Sequence, residues 1–341
     1  MKRVLVAAGL CAGLMAQSAS ADALKNVLSQ KLHAEESTPG MVNLDILGAP
    51  RPVKPKSRSS KAVIAVVNGH KIIKKEADHY LSKRTKGKVT DFDLLPREQR
   101  LALVKELSLP TLLAAGAEKE LSQEEKNAVL SRAWMAKEAQ DINITDAELR
   151  AAYEKIKAQA KARSALQQVP PFEALKERIR MQMIEQRILG KLMEGAAVRV
   201  AEGTDGVAGY VGMMAIGIDD VDKALQVMTK GKMRWETLPA KDKPRVLQMV
   251  APGKYIALAA KNGLSRDQKK IALSNYWMQK SISQIDVTDK EVKKRYEKMQ
   301  KKAKGKKKLS EYKTLKKTLK MQIANEKFIE RLVKKANIKL K

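Results

Sequence analysis

The chain has one cysteine, three histidines and an aromatic content of 4% in 341 residues. With Cys11 alone there is no disulfide framework, and nothing suggests thiol catalysis. His70 and His79 lie nine apart with Glu76 and Asp78 nearby, and His33 stands well before them. That spacing fits no established zinc pattern. There is no Gly-x-Ser-x-Gly elbow and no Gly-x-x-x-x-Gly-Lys-Ser/Thr phosphate loop. "GTDGVAGYVG" precedes a strand pattern instead of joining a strand to a helix, so it is not a dinucleotide fingerprint. No catalytic residue, metal ligand or cofactor is therefore assigned, and a non-enzyme is expected. After residue 16 no stretch approaches the roughly 18 uninterrupted apolar residues of a membrane span.

The N-terminus does carry a pattern. Lys2 and Arg3, the apolar run "VLVAAGLCAGLMA" and "ASA" at 19–21 have the three regions of a secretory signal peptide. Cleavage after residue 21 predicts a soluble, exported, periplasmic protein that starts at Asp22 and keeps no cysteine. A lipoprotein signal is disfavoured because Leu10 precedes Cys11 where a small residue is expected. Charge is the strongest compositional feature, with 68 Lys and Arg against 38 Asp and Glu, a net +30. Such a field attracts acidic polypeptides, lipid head groups or nucleic acid, or simply keeps the chain in solution. Export makes nucleic acid an unexpected partner.

Residues 22–60 read as a tail and a Pro-rich basic linker, since "STPGMVNLDILGAPRPVKPKSRSS" cannot build a packed core. Beyond it the chain can be laid on itself. "ITDAELRAAYEKIK" at Ile144 returns as "VTDKEVKKRYEKMQ" at Val287, "TKGK" at Thr85 returns at Thr229, and "AWM" at Ala133 is answered by "YWM" at Tyr276. The offset is 143 to 145, then slips to 140, where Phe172, Leu175, Ile179 and Met183 match Tyr312, Leu315, Leu319 and Ile323. The sequence thus predicts two modules, 61–200 and 205–341, joined at "AEGTDG".

Local signals are repeated as well. Ser122 with Glu125, Ser265 with Gln268, Thr145 with Glu148, and Thr288 with Glu291 are capping boxes, which satisfy free amides at helix starts. Behind the last two caps, Leu149, Tyr153 and Ile156, and Val292, Tyr296 and Met299, form apolar stripes at helical spacing. Strand patterns stand at the module edges: "AVIAVVNG" and "AAVRV" in the first, "GYVGMMAIG" and "ANIKL" in the second. Asn68 and Gly69 suit a tight turn. The expected fold is mainly α, two tandem helical modules, each with a small strand pair that joins its own ends.

The ordered series "VIAVVNGHKIIKKEADHYL", several helices, the helix bearing Thr145, Asp146, Glu148 and Tyr153, and a long helix ending in "AAVRV" resembles the N-terminal helical chaperone domain of SurA-type and PrsA-type periplasmic foldases. Those foldases commonly place a parvulin isomerase domain after the Tyr-bearing helix. Here only "AQAKARSALQQVPP" and "KKAKGKKKLSE" occupy that position, too short for a domain of some 90 residues. The resemblance implies an ATP-independent holdase of unfolded outer-membrane or secreted polypeptides, without isomerase activity. The alternative is a structural or adaptor protein of the envelope that dimerises or docks on one partner.

Client contact is assigned to apolar residues that recur or are flexible: Trp134, Met135, Tyr153, Met181, Met183, Met213, Met214, Trp277, Met278 and Tyr296. Methionine suits a surface that adapts to many sequences. Residues repeated at the same helical phase in two modules usually hold each module together, so core is the favoured reading for the tryptophans and tyrosines, while Met213 and Met214 suit core and groove equally. Between Lys293 and Lys320 stand fourteen basic residues against two acidic ones. Lys301, Lys302, Lys304, Lys306, Lys307 and Lys308 are the expected anion-steering group, for an acidic client or an anionic membrane surface. The sparse aromatics there argue against single-stranded nucleic acid.

Overall fold

The computed structural model describes residues 57–162, 169–201, 205–303 and 311–341. The expected signal peptide, the tail up to residue 56 and the junction at 202–204 lie outside the described residues. Among the described residues the chain is mainly helical, with ten α-helices and two three-stranded antiparallel sheets. Its elements run β1 (Val63–Val67), β2 (His70–Ile73), α1 (Lys74–Arg84), α2 (Arg97–Glu120), α3 (Gln123–Glu138), α4 (Asp146–Lys161), α5 (Phe172–Leu192) and β3 (Val198–Val200). Then follow β4 (Val207–Val211), β5 (Met214–Gly217), α6 (Ile218–Thr229), α7 (Lys243–Gly263), α8 (Arg266–Ser283), α9 (Asp289–Ala303), α10 (Tyr312–Lys335) and β6 (Ile338–Leu340).

Repeated sequence produces repeated local chemistry. All four capping boxes are formed, with the cap hydroxyl accepting from the third helical amide and the reaching side chain accepting from the cap amide. The first hairpin turns through Asn68 and Gly69, at φ of 47° and 86°. This is the backbone a two-residue turn of right-handed twist requires. "TKGK" is a helix stop. Thr85 Oγ1 donates to the Leu81 carbonyl at 2.9 Å and accepts from the Val89 amide; Thr229 does the same with Leu225 and Met233. The next residues, Lys86 and Lys230, are left-handed at φ of 52° and 55°. Asp78 and Asp222 then take the amides of Phe92 and Trp235, at 2.7 and 2.6 Å.

The packed units do not follow the repeats. One unit is residues 122–272; in the other, the stretch ending at Leu121 packs with 273–341. Each therefore combines the first half of one repeat with the second half of the other. The strand pairs expected within modules 61–200 and 205–341 are not formed. Instead of meeting β3, β1 lies between β2 and β6, with Val67 opposite Ile338 and Ala65 opposite Leu340. Asn68 and Asn337 clamp that crossing: the Asn68 amide donates to the Asn337 carbonyl, and the Asn337 amide to Asn68 Oδ1. In the other unit β3 pairs with β4, Val198 opposite Val211 and Val200 opposite Gly209. The links between paired helices contribute to this exchange. Leu121 and Leu264 are extended, at φ/ψ of −84°/133° and −97°/134°. Each is followed by a capped serine, so the next helix starts onward and packs elsewhere.

In the unit 122–272, β4, β5, α6 and α7 close over Val211, Ile216, Leu225, Trp235 and Leu247. A second core joins α3, α4 and α5 to Ala260 and Leu264 near the end of α7. In the other unit Ile64, Val67, Leu81, Phe92, Leu103 and Val104 are buried, and Leu332, Ile338 and Leu340 from the far end of the sequence pack on them. Burial of each such side chain stabilises by about 1.5–3 kcal/mol, so hydrophobic packing holds together halves distant in sequence.

Candidate functional site

Two helical hairpins, α4 with α5 and α9 with α10, are the corresponding parts of the two units. Their cross-helix contacts recur pair for pair. Tyr153 meets Phe172 edge to face with centroids 5.5 Å apart, and Tyr296 meets Tyr312 in the same way at 5.3 Å. Lys176 reaches Asp146 at 3.0 Å, and Lys316 reaches Asp289 at 2.8 Å. Arg187 pairs with Glu148, and Lys327 with Glu291. Arg187 also donates to the Asn143 carbonyl, and Lys327 to that of Asp286.

These pairs set the acid ionisation. The hydrogen bond from Lys176 lowers Asp146, and the one from Lys316 lowers Asp289. The Thr145 amide and hydroxyl, with Arg187, lower Glu148. The Lys327 ammonium and the Thr288 amide hold Glu291 down at about 2. All four carboxylates remain charged at neutral pH.

Burial along each hairpin is graded. At the root, Leu149, Ile179, Ile184 and Ile188, and Val292, Leu319, Ile323 and Phe328, are buried. Toward the connection between the helices the same seam is only half-buried, at Tyr153, Ile156, Phe172 and Leu175, and at Tyr296, Met299, Tyr312 and Leu315. Two helices alone cannot enclose an apolar stripe more than about 100° wide, and among the described residues no third surface covers it there. Cations border the open part: Arg150 lies 4.9 Å above the Phe172 ring and Lys157 5.6 Å from that of Tyr153.

The residues assigned to client contact from sequence separate into two sets. Trp134, Met135, Trp277 and Met278 are 5–6% exposed and hold helices together, as the core reading of the tryptophans expected; their assignment to client contact is corrected. Met214 in β5 is half-buried against the core of its sheet. Met183 is half-buried against its helical core, and Met181 is half-buried two residues earlier on α5. Met213, at 99% exposure, occupies the β4–β5 turn. Tyr153 and Tyr296 alone sit in the open seam. Phe172, Tyr312, Ile156, Leu175, Met299 and Leu315 join them there. Their register was legible in the sequence, but not the loss of cover toward the outer end. Lys301 is exposed on α9. Lys302 falls within that helix with its side chain outside the described residues, and Lys304, Lys306, Lys307 and Lys308 lie outside them altogether.

Other clusters carry structural roles. Glu106, its carboxyl raised by burial, is held by Arg84 and Tyr80 and ties α1 to α2. Lys74 bridges Asp78 and Asp91, both at 2.7 Å. An open groove of about 480 Å³ is lined by Asp141, Asn143, Arg187, Lys191 and Glu194, among others. Its charges are mixed, and Arg187 is already engaged with Glu148 and Asn143. Among the described residues no group of three or more His, Cys, Asp or Glu is placed to hold a metal ion, and no helix is long and apolar enough to cross a membrane. Comparison of the chain with protein-family models, with curated proteins and with solved structures returned no match.

Proposed function

We propose that the chain is an ATP-independent holdase of the periplasm, related to the SurA-type and PrsA-type foldases, which holds unfolded outer-membrane or secreted polypeptides. The observation that carries the reading is the half-open apolar seam at the outer end of both hairpins, aromatic at its centre and, beside Tyr153 and Phe172, bordered by cations. A segment of unfolded chain placed there supplies the missing third surface. Contacts of this kind are individually weak and tolerate many sequences. Release then needs no nucleotide, and the reading assigns no catalytic step.

The test is suppression of aggregation. A denatured outer-membrane protein is diluted into buffer with the purified chain, and light scattering is followed. A stoichiometric excess of chain is expected to keep the client dispersed. Lack of suppression together with one stoichiometric partner recovered from the envelope would replace this reading by the adaptor alternative.

A further inference from the structure

The two hairpins share a seam and its cross-helix pairs, but not their charge. In α9 and α10, fifteen Lys and Arg stand against five Asp and Glu; in α4 and α5, nine stand against six. The type of cation differs as well. Thirteen of the fifteen are lysine in the first hairpin, whereas four of the nine are arginine in the second. The fold does not need this excess, because the less basic hairpin forms the same contacts.

The surplus is arranged. Lys290, Lys294, Lys298 and Lys301 follow one another by four, four and three residues on α9, and all are exposed. That spacing is one stripe about 16 Å long. It lies on the side of α9 opposite Val292, Tyr296 and Met299, and so faces away from the apolar seam. On α10, exposed Lys313, Lys317 and Met321, the last 52% exposed, follow at four-residue spacing outside that helix's own seam positions Tyr312, Leu315 and Leu319. No ion pair among the described residues engages any of these six lysines. Cations turned away from the seam do not border a client lying in it.

We infer that this lysine face of α9 is an electrostatic docking surface for an anionic phospholipid bilayer. Lysine is a flexible point charge that follows a fluid array of headgroups, whereas arginine's planar fork favours fixed bidentate partners. Each lysine adds to attraction by an anionic leaflet, and the attraction decays within a Debye length. Docking by this side leaves the seam free.

Co-sedimentation of the full chain with vesicles tests the inference. Binding is expected to phosphatidylglycerol–phosphatidylcholine vesicles and not to phosphatidylcholine alone, with release at about 0.5 M salt. The variant Lys290→Glu, Lys294→Glu, Lys298→Glu, Lys301→Glu should lose about 100-fold or more in partitioning, with an unchanged circular dichroism spectrum and unchanged aggregation suppression. A control reversing four exposed cations of the other unit, Lys232, Lys241, Arg266 and Lys270, to Glu alters net charge equally and should keep most of the binding. Three outcomes overturn the inference: no binding to anionic vesicles, equal loss in both variants, or tighter stripe-dependent binding to polyglutamate than to vesicles. The last would make the face a site for an acidic polypeptide.

Discussion

The indole Nε1–H of Trp277 donates to Glu120 Oε2 at 2.9 Å, although 157 positions separate them and they belong to different sequence repeats. The outer edge of the same ring lies against α2, where a Cβ on Gly116 would collide with it. Trp277 also meets Phe328 edge to face at 5.3 Å, which confines it from the other side. Gly116→Ala, a change that stabilises an ordinary exposed helix position by up to about 1 kcal/mol, should here destabilise by about 1–3 kcal/mol through overpacking. Urea denaturation followed by tryptophan fluorescence measures it; a raised midpoint would refute the packing.

The left-handed lysines give the opposite sign. Lys86 and Lys230 adopt a conformation that costs a residue with a Cβ about 1–2 kcal/mol. Lys86→Gly and Lys230→Gly should each stabilise by about 0.5–1 kcal/mol after the unfolded-state entropy of glycine is counted. Thermal melts of the single and double variants should rise in steps, additively, because the two sites belong to separate units.

Acid should loosen the hairpins. Glu291 titrates at about 2 in the folded chain against 4.5 for an ordinary glutamate, through the Lys327 hydrogen bond and the Thr288 amide. A folded value below the unfolded one means the carboxylate stabilises the fold at pH above the ordinary value. That contribution is lost as the pH falls through this window. Glu291→Gln should therefore flatten the decline in melting temperature between about pH 5 and pH 2 and lower stability at pH 7. If its pH profile parallels that of the parent chain, the pair does not act as described.

Seam and core predict separable losses. Ile156→Ser with Leu175→Ser, and Met299→Ser with Leu315→Ser, remove half-buried apolar surface and should cost about 1 kcal/mol per site. They should also demand several-fold more protein for the same suppression of aggregation. Trp134→Ala instead opens a cavity in a core, expected to cost about 3–5 kcal/mol, and should impair suppression only as the chain unfolds. Paired measurements of stability and scattering distinguish the two.

Much of the local structure was legible because its causes are local. A serine or threonine three residues before a glutamate or glutamine specifies a helix start by two hydrogen bonds, and all four such starts form. The slip in repeat offset from 143 to 140 reappears as geometry: Tyr153 meets Phe172 and Tyr296 meets Tyr312 across corresponding helix pairs. Repetition at one helical phase favoured core for the tryptophans but did not say which helix covers each. An indole's covering helix is set by long-range packing, and here Trp134 and Trp277 are covered, Trp277 by α2.

The sequence by itself determined the helices, their caps and stops, the tight turn at Asn68 and Gly69, and the existence of two like repeats. Only the tertiary structure decided which half joins which. Two similar repeats offer each half two partners of nearly the same shape and chemistry, so composition and periodicity cannot choose between them. The choice lies in the links and in long-range pairing: extended Leu121 and Leu264 send the next helix onward, and β1 closes on β6 instead of β3.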